Sequence, residues 1–184
     1  MATVAERLLT AEEFRRLPDD GVRRELVRGR VVRMNVPAPR HGYICGNIVG
    51  LVRPFVVERK VGRVISNDSG VLTRRDPDTV RGVDVAYYSF SRLPPGPLPE
   101  GYVEAAPELV FEVRSPTDRW DEVVAKAGEY LAAGVGVVCV LDPGTQTAHV
   151  YGADAPTRVV APDDELTFPE LLPGFRAPVR AFFE

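Results

Sequence analysis

Apolar positions in the first third of the chain change their spacing several times, and each change predicts a different element. Thr10 followed by AEEFRRL has the composition of an N-capped helix with acidic residues in its first turn. RRELVRGRVVRM predicts two short strands joined at Arg28-Gly29. In PRHGYICGNIVGLVRPFVVERK the apolar residues between Ile44 and Val52 recur at helical spacing, and we expect Pro54 to weaken or kink the second half of this helix.

The rest of the chain alternates strands with one helix. GRVIS, GVLTRR and GVDVAYYS are three strand-like pieces, and the proline-rich loop RLPPGPLPEGY separates them from the strand ELVFEV. SPTD predicts the cap of a helix from about Arg119 to Ala133 that ends at Gly134. VGVVCVLD predicts a strand buried on both faces, with TAHVYG as its hairpin partner. We expect three phenylalanines of the tail to pack against the body: Phe175, Phe182 and Phe183.

This order of elements indicates a mixed sheet flanked by helices, in an α/β or α+β domain. A length of 184 residues suits one domain spanning residues 1–184, and the sequence shows no internal repeat. No apolar run approaches the ~20 residues of a membrane helix, and the acidic residues of MATVAERLLTAEEF do not fit a secretory signal. Two cysteines, Cys45 and Cys139, do not make a disulfide framework, so we expect a reduced, cytoplasmic setting.

Carboxylates stand among apolar residues in two of the predicted strands, Asp84 in GVDVAYY and Glu112 in LVFEV. An uncompensated buried carboxylate costs on the order of several kcal/mol, so each needs a cation, hydrogen-bond donors or an exposed strand end. A structural ion pair with an arginine such as Arg114 would explain a single acid. Two such acids on neighbouring strands would instead favour a divalent cation, and oxygen ligands favour Mg²⁺. Glu25 in RRELVRG is a candidate third ligand.

Charge and lysine usage add a further candidate. The net charge of -3 argues mildly against a sequence-independent DNA binder, because such proteins are typically basic. Only two of the 23 basic residues are lysines, so each lysine stands out. Lys126 lies at the edge of an apolar helix stripe, from which its stem can reach towards the strand of Glu112. Two interpretations are open: a snorkelling lysine paired with Glu122, or a cation that orients or deprotonates a catalytic water.

Seven segments occur in the order found in a bacterial family of the PD-(D/E)XK nuclease superfamily, the Uma-type "putative restriction endonucleases". They are RRELVRGRVV, PAPRHGYICGNIV, RGVDVAYYS, PELVFEVRSPTDR, AKAGEYLAAGV, VVCVLDP and HVYG. The chain resembles this family from about residue 8 to residue 184. The resemblance implies a restriction-endonuclease-like core, with a central mixed sheet flanked by helices, and assembly as a homodimer.

The same motifs carry site residues over from the family. Asp84 matches the aspartate of the PD element and Glu112 the acid of (D/E)XK. Lys126 matches the helix lysine that replaces a lysine normally two residues after that acid. Glu25 matches the acid of the family's E-L-hydrophobic-x-G segment, and His41 matches the histidine that opens the next helix.

Some positions depart from the pattern or extend it. Val83 replaces the proline of PD, which leaves the carboxylate in place. Arg114 stands where the superfamily has lysine; it is a poor base but a candidate phosphate contact, as is His41. Together with a metal, four arginines could make a cleft attractive to phosphate, with weak and salt-sensitive binding: Arg23, Arg24, Arg40 and Arg114.

The resemblance implies an endodeoxyribonuclease that uses Mg²⁺, or Mn²⁺ as a substitute, to hydrolyse phosphodiester bonds in DNA. Asp84 and Glu112 would hold the metal, Glu25 would assist directly or through water, and Lys126 would position the attacking water. Two alternatives stay open: a non-enzymatic dimeric interaction protein with a vestigial nuclease site, and a metal-dependent hydrolase of nucleotides or RNA. No nucleophilic triad around Cys45 or Cys139 is legible in the sequence.

Overall fold

The computed structural model describes residues 7–184. The first six residues lie outside the described part; they belong to the expected domain and to the segment that was compared with a secretory signal. Its helices are α1 Ala11–Arg15, α2 Pro39–Arg59, α3 Trp120–Ala132 and a final 3₁₀ helix, Val179–Phe182. Its strands are β1 Arg24–Val27, β2 Arg30–Arg33, β3 Gly62–Arg74, β4 Thr79–Ser89, β5 Leu109–Val113, β6 Val137–Asp142, β7 Thr147–Gly152, β8 Ala155–Val160, β9 Glu165–Phe168 and β10 Leu172–Pro178. Within this range no helix combines the length and the apolar character needed to cross a membrane.

A mixed sheet of eight strands forms the centre, as expected, in the order β2-β1-β4-β5-β6-β7-β8 with β3 paired to β4. All of its neighbouring pairs are antiparallel except β5 and β6. Those two strands are parallel because the crossover helix α3 connects them. A separate two-stranded sheet contains β9 and β10.

The sheet opens beside β4. β3 pairs along one edge of β4 for nearly its whole length, so β1 and β5 have to share the other edge. On that edge β1 pairs at Val80, and β5 pairs from Val85 to Tyr87. Among the described residues, no residue of β1 or β5 pairs with positions 81–84. Backbone groups and side chains of three strands therefore face one gap.

Helices α2 and α3 cover different faces of the sheet. Leu109 and Phe111 of β5 are buried in the cluster that contains α2, whereas Val110 is buried in the cluster that contains α3. Because side chains alternate along a strand, Glu112 lies on the same face as Val110 and therefore towards α3. This alternation brings the strand glutamate to the helix that carries Lys126.

Most of the predicted elements are confirmed. Thr10 and Glu13 form a reciprocal capping box at α1, and the hairpin turns at Arg28-Gly29, where both residues have positive φ. The run VGVVCVLD is the buried strand β6, paired with β7. The tail phenylalanines do pack on the body: Phe175 and Phe182 are buried, and Phe183 is partly buried against the same cluster.

Other expectations were wrong in detail. GRVIS and GVLTRR form one continuous strand, because Asn67 and Asp68 adopt positive φ and absorb a register shift within β3. Helix α2 runs through Pro54 to Arg59, and the expected weakening or kink at Pro54 stays a prediction. SPTD does not cap α3, whose N-cap residue, Arg119, makes no side-chain capping bond; Asp118 instead accepts from the Ser115 backbone N–H at 2.8 Å and closes a turn. The strands β8, β9 and β10 were not predicted.

Candidate active site

Three carboxylates and one lysine line a single cleft of about 970 Å³ at the opening beside β4. Glu25 comes from β1, Asp84 from β4, Glu112 from β5 and Lys126 from α3. All four are residues singled out from the sequence. The cleft forms because the shared edge of β4 leaves room between β1 and β5.

Glu112 is held from α3 by two donors. Lys126 Nζ donates to its Oε2 at 2.9 Å, and the Tyr130 hydroxyl donates to its Oε1 at 2.8 Å. The side chain is only 15% exposed. Burial, together with the charge of Asp84, outweighs the attraction of Lys126 and raises the pKa of Glu112 to about 7. Of the two interpretations left open for Lys126, the structure shows the side chain reaching Glu112, whereas the snorkelling interpretation paired it with Glu122.

Lys126 is a cation in this setting. Burial opposes its charge, but the carboxylates of Glu112 and Glu25 outweigh burial, so the pKa of Lys126 is raised. Its Nζ lies 3.9 Å from Glu25 Oε1 as well as bonding Glu112. An ammonium held between two acids can orient a water or an anionic group. It is poorly suited to accept a proton, which favours the orienting role over the base role.

Glu25 is buried and fixed on both carboxylate oxygens. Arg81 Nη1 donates to Oε2 at 2.9 Å, and the Gly82 backbone N–H donates to Oε1 at 3.0 Å. The same guanidinium makes a two-pronged contact with Glu129 of α3, at 2.9 and 2.7 Å. Glu129 also accepts from the Thr73 hydroxyl at 2.6 Å. Arg81 and Glu129 thus tie Glu25 to the helix that carries Lys126.

Asp84 belongs to a second set of contacts. Its Oδ2 accepts from the Val113 backbone N–H at 2.7 Å and lies 3.2 Å from His41 Nε2. The other ring nitrogen, His41 Nδ1, lies 3.5 Å from Cys45 Sγ. The pKa of His41 is raised to about 10, mainly by the hydrogen bond to Asp84 and next by the hydrogen bond to Cys45. His41 therefore faces Asp84 as an imidazolium.

The sequence profile described as "Uma2: Putative restriction endonuclease" matches residues 11–180. This chain belongs to the Uma2 family. The crystal structure of a protein from Anabaena variabilis ATCC 29413, described as a putative nuclease belonging to DUF820, is similar with a TM-score of 0.78. The two chains are 22% identical, and the similarity covers 95% of this chain and 97% of that chain, which shows a shared fold. No curated protein matches the chain.

In this member of the Uma2 family, the Arg114 guanidinium already contacts three groups of the protein itself. Its Nη1 lies 3.2 Å from Asp142 Oδ1, and its Nη2 donates to the Asp118 carbonyl at 2.9 Å. The guanidinium carbon lies 5.0 Å from the centre of the Trp120 ring, a typical cation–π contact. A phosphate contact by Arg114 would have to compete with these partners.

The other arginines expected near the cleft are also engaged. Arg23 pairs with Asp68 and Arg24 with Asp20, while Arg40 donates to the Pro143 carbonyl at 2.7 Å. Arg23 and Arg24 line the cleft, whereas Arg40 and Arg114 do not. Arg23 and Arg24 are therefore already balanced by aspartates, whereas Arg15, which also lines the cleft, donates to the Glu100 carbonyl.

Sequence reasoning missed two features of the site. Arg81 went unnoticed because arginine is the usual cation of this chain, although Glu129 follows Lys126 by three residues and so lies on the same helix face. The line Cys45–His41–Asp84 was also missed. The spacing of His41 and Cys45 was visible, but only the fold places Asp84 beside them.

Proposed function

We propose that this protein is a Mg²⁺-dependent endonuclease that hydrolyses phosphodiester bonds in DNA. One observation carries the proposal: two acids on adjacent strands, Asp84 and Glu112, converge with the charged Lys126 at a gap in the sheet. The family description, "Putative restriction endonuclease", supports this reaction class. Because the fold alone does not establish an activity, the proposal rests on this constellation.

The site fits a hard divalent cation. Asp84 and Glu112 offer carboxylate oxygens, which Mg²⁺ prefers and Mn²⁺ also accepts. Burial of Glu112 beside Asp84 raises its pKa, so a cation bound there would relieve an existing repulsion. Glu25 already accepts from Arg81 and Gly82, so we infer that it acts through water. When bound, the metal would lower the pKa of a water and neutralise charge on the phosphate.

The residues of the chain do the positioning. Lys126 holds a charge next to Glu112 and Glu25, where it can orient the attacking water and stabilise negative charge on the phosphate oxygens. Tyr130 fixes the rotamer of Glu112 through its hydroxyl. Arg81, which is itself held by Glu129 of α3, fixes Glu25 through its guanidinium.

The proposal includes a partner and a working form. DNA is the expected partner, a homodimer the expected assembly and the cytoplasm the expected location, where the free Cys45 and Cys139 would stay reduced. The dimer stays a prediction, and light scattering coupled to size-exclusion chromatography measures it directly.

Cleavage of supercoiled plasmid and of single-stranded DNA tests the function. We compare the wild type with Glu112→Gln in the presence of Mg²⁺ or Mn²⁺. Glu122→Gln, the same change at an exposed position of α3, is the matched control. We expect metal-dependent cutting by the wild type and the control, with a loss of about a hundredfold or more in Glu112→Gln.

Each alternative predicts a different result. Cutting of RNA or nucleotides in preference to DNA would indicate the other hydrolase. Equal cutting by the wild type and Glu112→Gln would place the reaction at a different site or in a contaminant. No cutting by the wild type, together with equal Mn²⁺ affinity in both proteins, would favour the interaction protein with a vestigial site.

A further inference from the structure

His41, Cys45 and Asp84 form a second cluster of ligand-type groups at the edge of the active site. One ligand atom from each lies within 4.8 Å of the other two. His41 and Cys45 are one helical turn apart on α2, so both project from the same face of that helix. Asp84 meets them from β4 through its contact with His41. The three side chains thus converge from two different elements.

This donor set differs in chemistry from the three carboxylates of the proposed nuclease site. A thiolate, an imidazole and a carboxylate are typical ligands of Zn²⁺, whereas Mg²⁺ takes oxygen ligands. Three protein ligands leave one coordination position open. His41 lines the cleft with 16% of its side chain exposed, and Cys45 is partly buried behind it. An ion can therefore reach the cluster from the cleft.

We propose that His41, Cys45 and Asp84 bind a Zn²⁺-class ion, and that this ion inhibits the nuclease by taking Asp84 away from the Mg²⁺ site. The inhibition rests on the proposed function, whereas the binding of the ion does not. Both ions would draw on the one carboxylate of Asp84, whose Oδ2 already accepts from the Val113 N–H. The two sites therefore compete for one carboxylate.

A nucleophilic role for Cys45 explains the cluster less well. Burial raises the pKa of the Cys45 thiol, whereas nucleophilic cysteines have a lowered pKa. A metal ion needs neither a preformed thiolate nor a neutral imidazole, because it displaces the Cys45 thiol proton and one proton of the His41 imidazolium as it binds. Among the described residues, the polar side-chain contacts of Cys45 and His41 are with each other and with Asp84. None of these groups is placed to orient a substrate towards the sulfur.

Binding is tested with Co²⁺ as a spectroscopic probe and Zn²⁺ as the competitor, using the full chain. We expect the wild type to bind one Co²⁺ with a sulfur-to-cobalt charge-transfer band. Cys45→Ser should lose the band and bind Zn²⁺ more weakly by at least roughly tenfold, because loss of even an outer-shell partner of a ligand costs about 10–100-fold. Cys139→Ala, which removes the buried thiol of β6, should keep the band.

Several results would overturn the site. They are a wild type without the charge-transfer band, a band that persists in Cys45→Ser, and equal Zn²⁺ affinities in the two proteins. Cys45→Ala is the second variant if the serine protein does not fold, as judged by circular dichroism. Sharing of Asp84 is tested without any substrate: added Mn²⁺ should weaken Co²⁺ binding at the thiolate site, and independent binding of both ions would contradict the competition.

Inhibition is then measured as DNA cleavage at fixed Mg²⁺ with increasing Zn²⁺, each protein being compared with its own rate without Zn²⁺. We expect Cys45→Ser to need roughly tenfold or more Zn²⁺ for half inhibition. Equal inhibition of the wild type and Cys45→Ser would refute the inhibitory step. If the wild type cuts no DNA, the proposed function fails while the Co²⁺ result still decides the ion site.

Discussion

At Glu112, burial disfavours the charged carboxylate that the proposed metal site requires. Its carboxylate is nearly enclosed, it lies near Asp84, and its pKa is raised from its ordinary value of 4.5 to about 7. Lys126 and Tyr130 hold it without restoring the ordinary pKa. Such a group lowers the stability of the protein that contains it, which is typical of residues retained for a function rather than for folding.

This conflict predicts a pH dependence of stability. Between pH 4.5 and pH 7 the native protein keeps a proton on Glu112 that the unfolded chain has lost. The free energy of unfolding therefore falls as pH rises through this window, by a total of about 3 kcal/mol. Glu112→Gln should remove this fall. Urea denaturation of the metal-free proteins at pH 4.5, 6 and 8 measures it.

The control for this measurement is Glu122→Gln, which should keep the pH dependence of the wild type because the Glu122 side chain is exposed. Other titrating groups, such as His41, contribute to all three proteins and cancel in the comparison. An identical fall in Glu112→Gln and the wild type would contradict the raised pKa of Glu112.

At this scale the sequence singled out two residues that the structure brings into contact. Glu112 was recognisable as an acid in an apolar strand, and Lys126 as one of two lysines among the 23 basic residues. Arg81 could not be recognised, because 21 arginines offer no contrast. The contact of His41 with Asp84 joins residues 43 positions apart, and no local pattern records such a contact.

At the scale of elements, regular periodicity was predictive and irregular backbone was not. The hairpin, α2, β5 and β6 follow their apolar spacing. β3 was divided in two because its bulge at Asn67 and Asp68 interrupts the alternation. β8 escaped prediction because five of its six residues are exposed, so it has no buried face to produce a pattern.

A substitution at Gly62 tests how closely β3 and β4 approach each other. A Cβ on Gly62, at the start of β3, would lie 2.1 Å from the Tyr88 carbonyl oxygen of β4. We expect Gly62→Ala to lower the free energy of unfolding by about 1–3 kcal/mol, since backbone would have to move. Urea denaturation of the variant and the wild type at one pH measures the difference.

Gly50→Ala is the matched control for Gly62→Ala. Gly50 is an exposed residue inside α2, and an added Cβ meets nothing within 4 Å. It should stabilise the protein by about 0.5–1 kcal/mol, because alanine favours a helix over glycine. A tolerated Gly62→Ala would show that β3 and β4 are farther apart at this point than the structure has them.

At the scale of the whole molecule, charge balance would set the strength of the proposed DNA binding. The net charge is -3, and Arg23 and Arg24 of the cleft pair with aspartates. Among the described residues, two of the three arginines that line the cleft are therefore already paired with acids before a metal binds. This arrangement fits weak and salt-sensitive association, with the metal supplying much of the attraction.

Releasing one of these arginines should strengthen DNA binding. Asp68→Asn removes the charge that pairs with Arg23 at the cleft, and asparagine tolerates the positive φ of 53° at this position. We expect tighter binding to a short duplex without metal. The slope of log K against log salt should steepen by about one unit, as for one added phosphate contact. Fluorescence anisotropy at several salt concentrations measures both.

Asp163→Asn makes the same change of net charge far from the cleft lining, where Asp163 pairs with Arg180. It should leave binding close to that of the wild type. An equal gain in both variants would mean that overall charge, and not Arg23, determines the affinity.

The gap beside β4 also gives the protein two built-in reporters. The backbone N–H of Gly82 donates to Glu25, and that of Val113 donates to Asp84, so each amide bonds a carboxylate where a sheet would normally offer a carbonyl. The resonance frequency of an amide proton follows the charge of the group it bonds. In a nitrogen-15 spectrum, Val113 would thus track events at Asp84 while Gly82 tracks Glu25. Binding of an ion in the cleft can therefore be detected from these two main-chain amide signals, without a substrate.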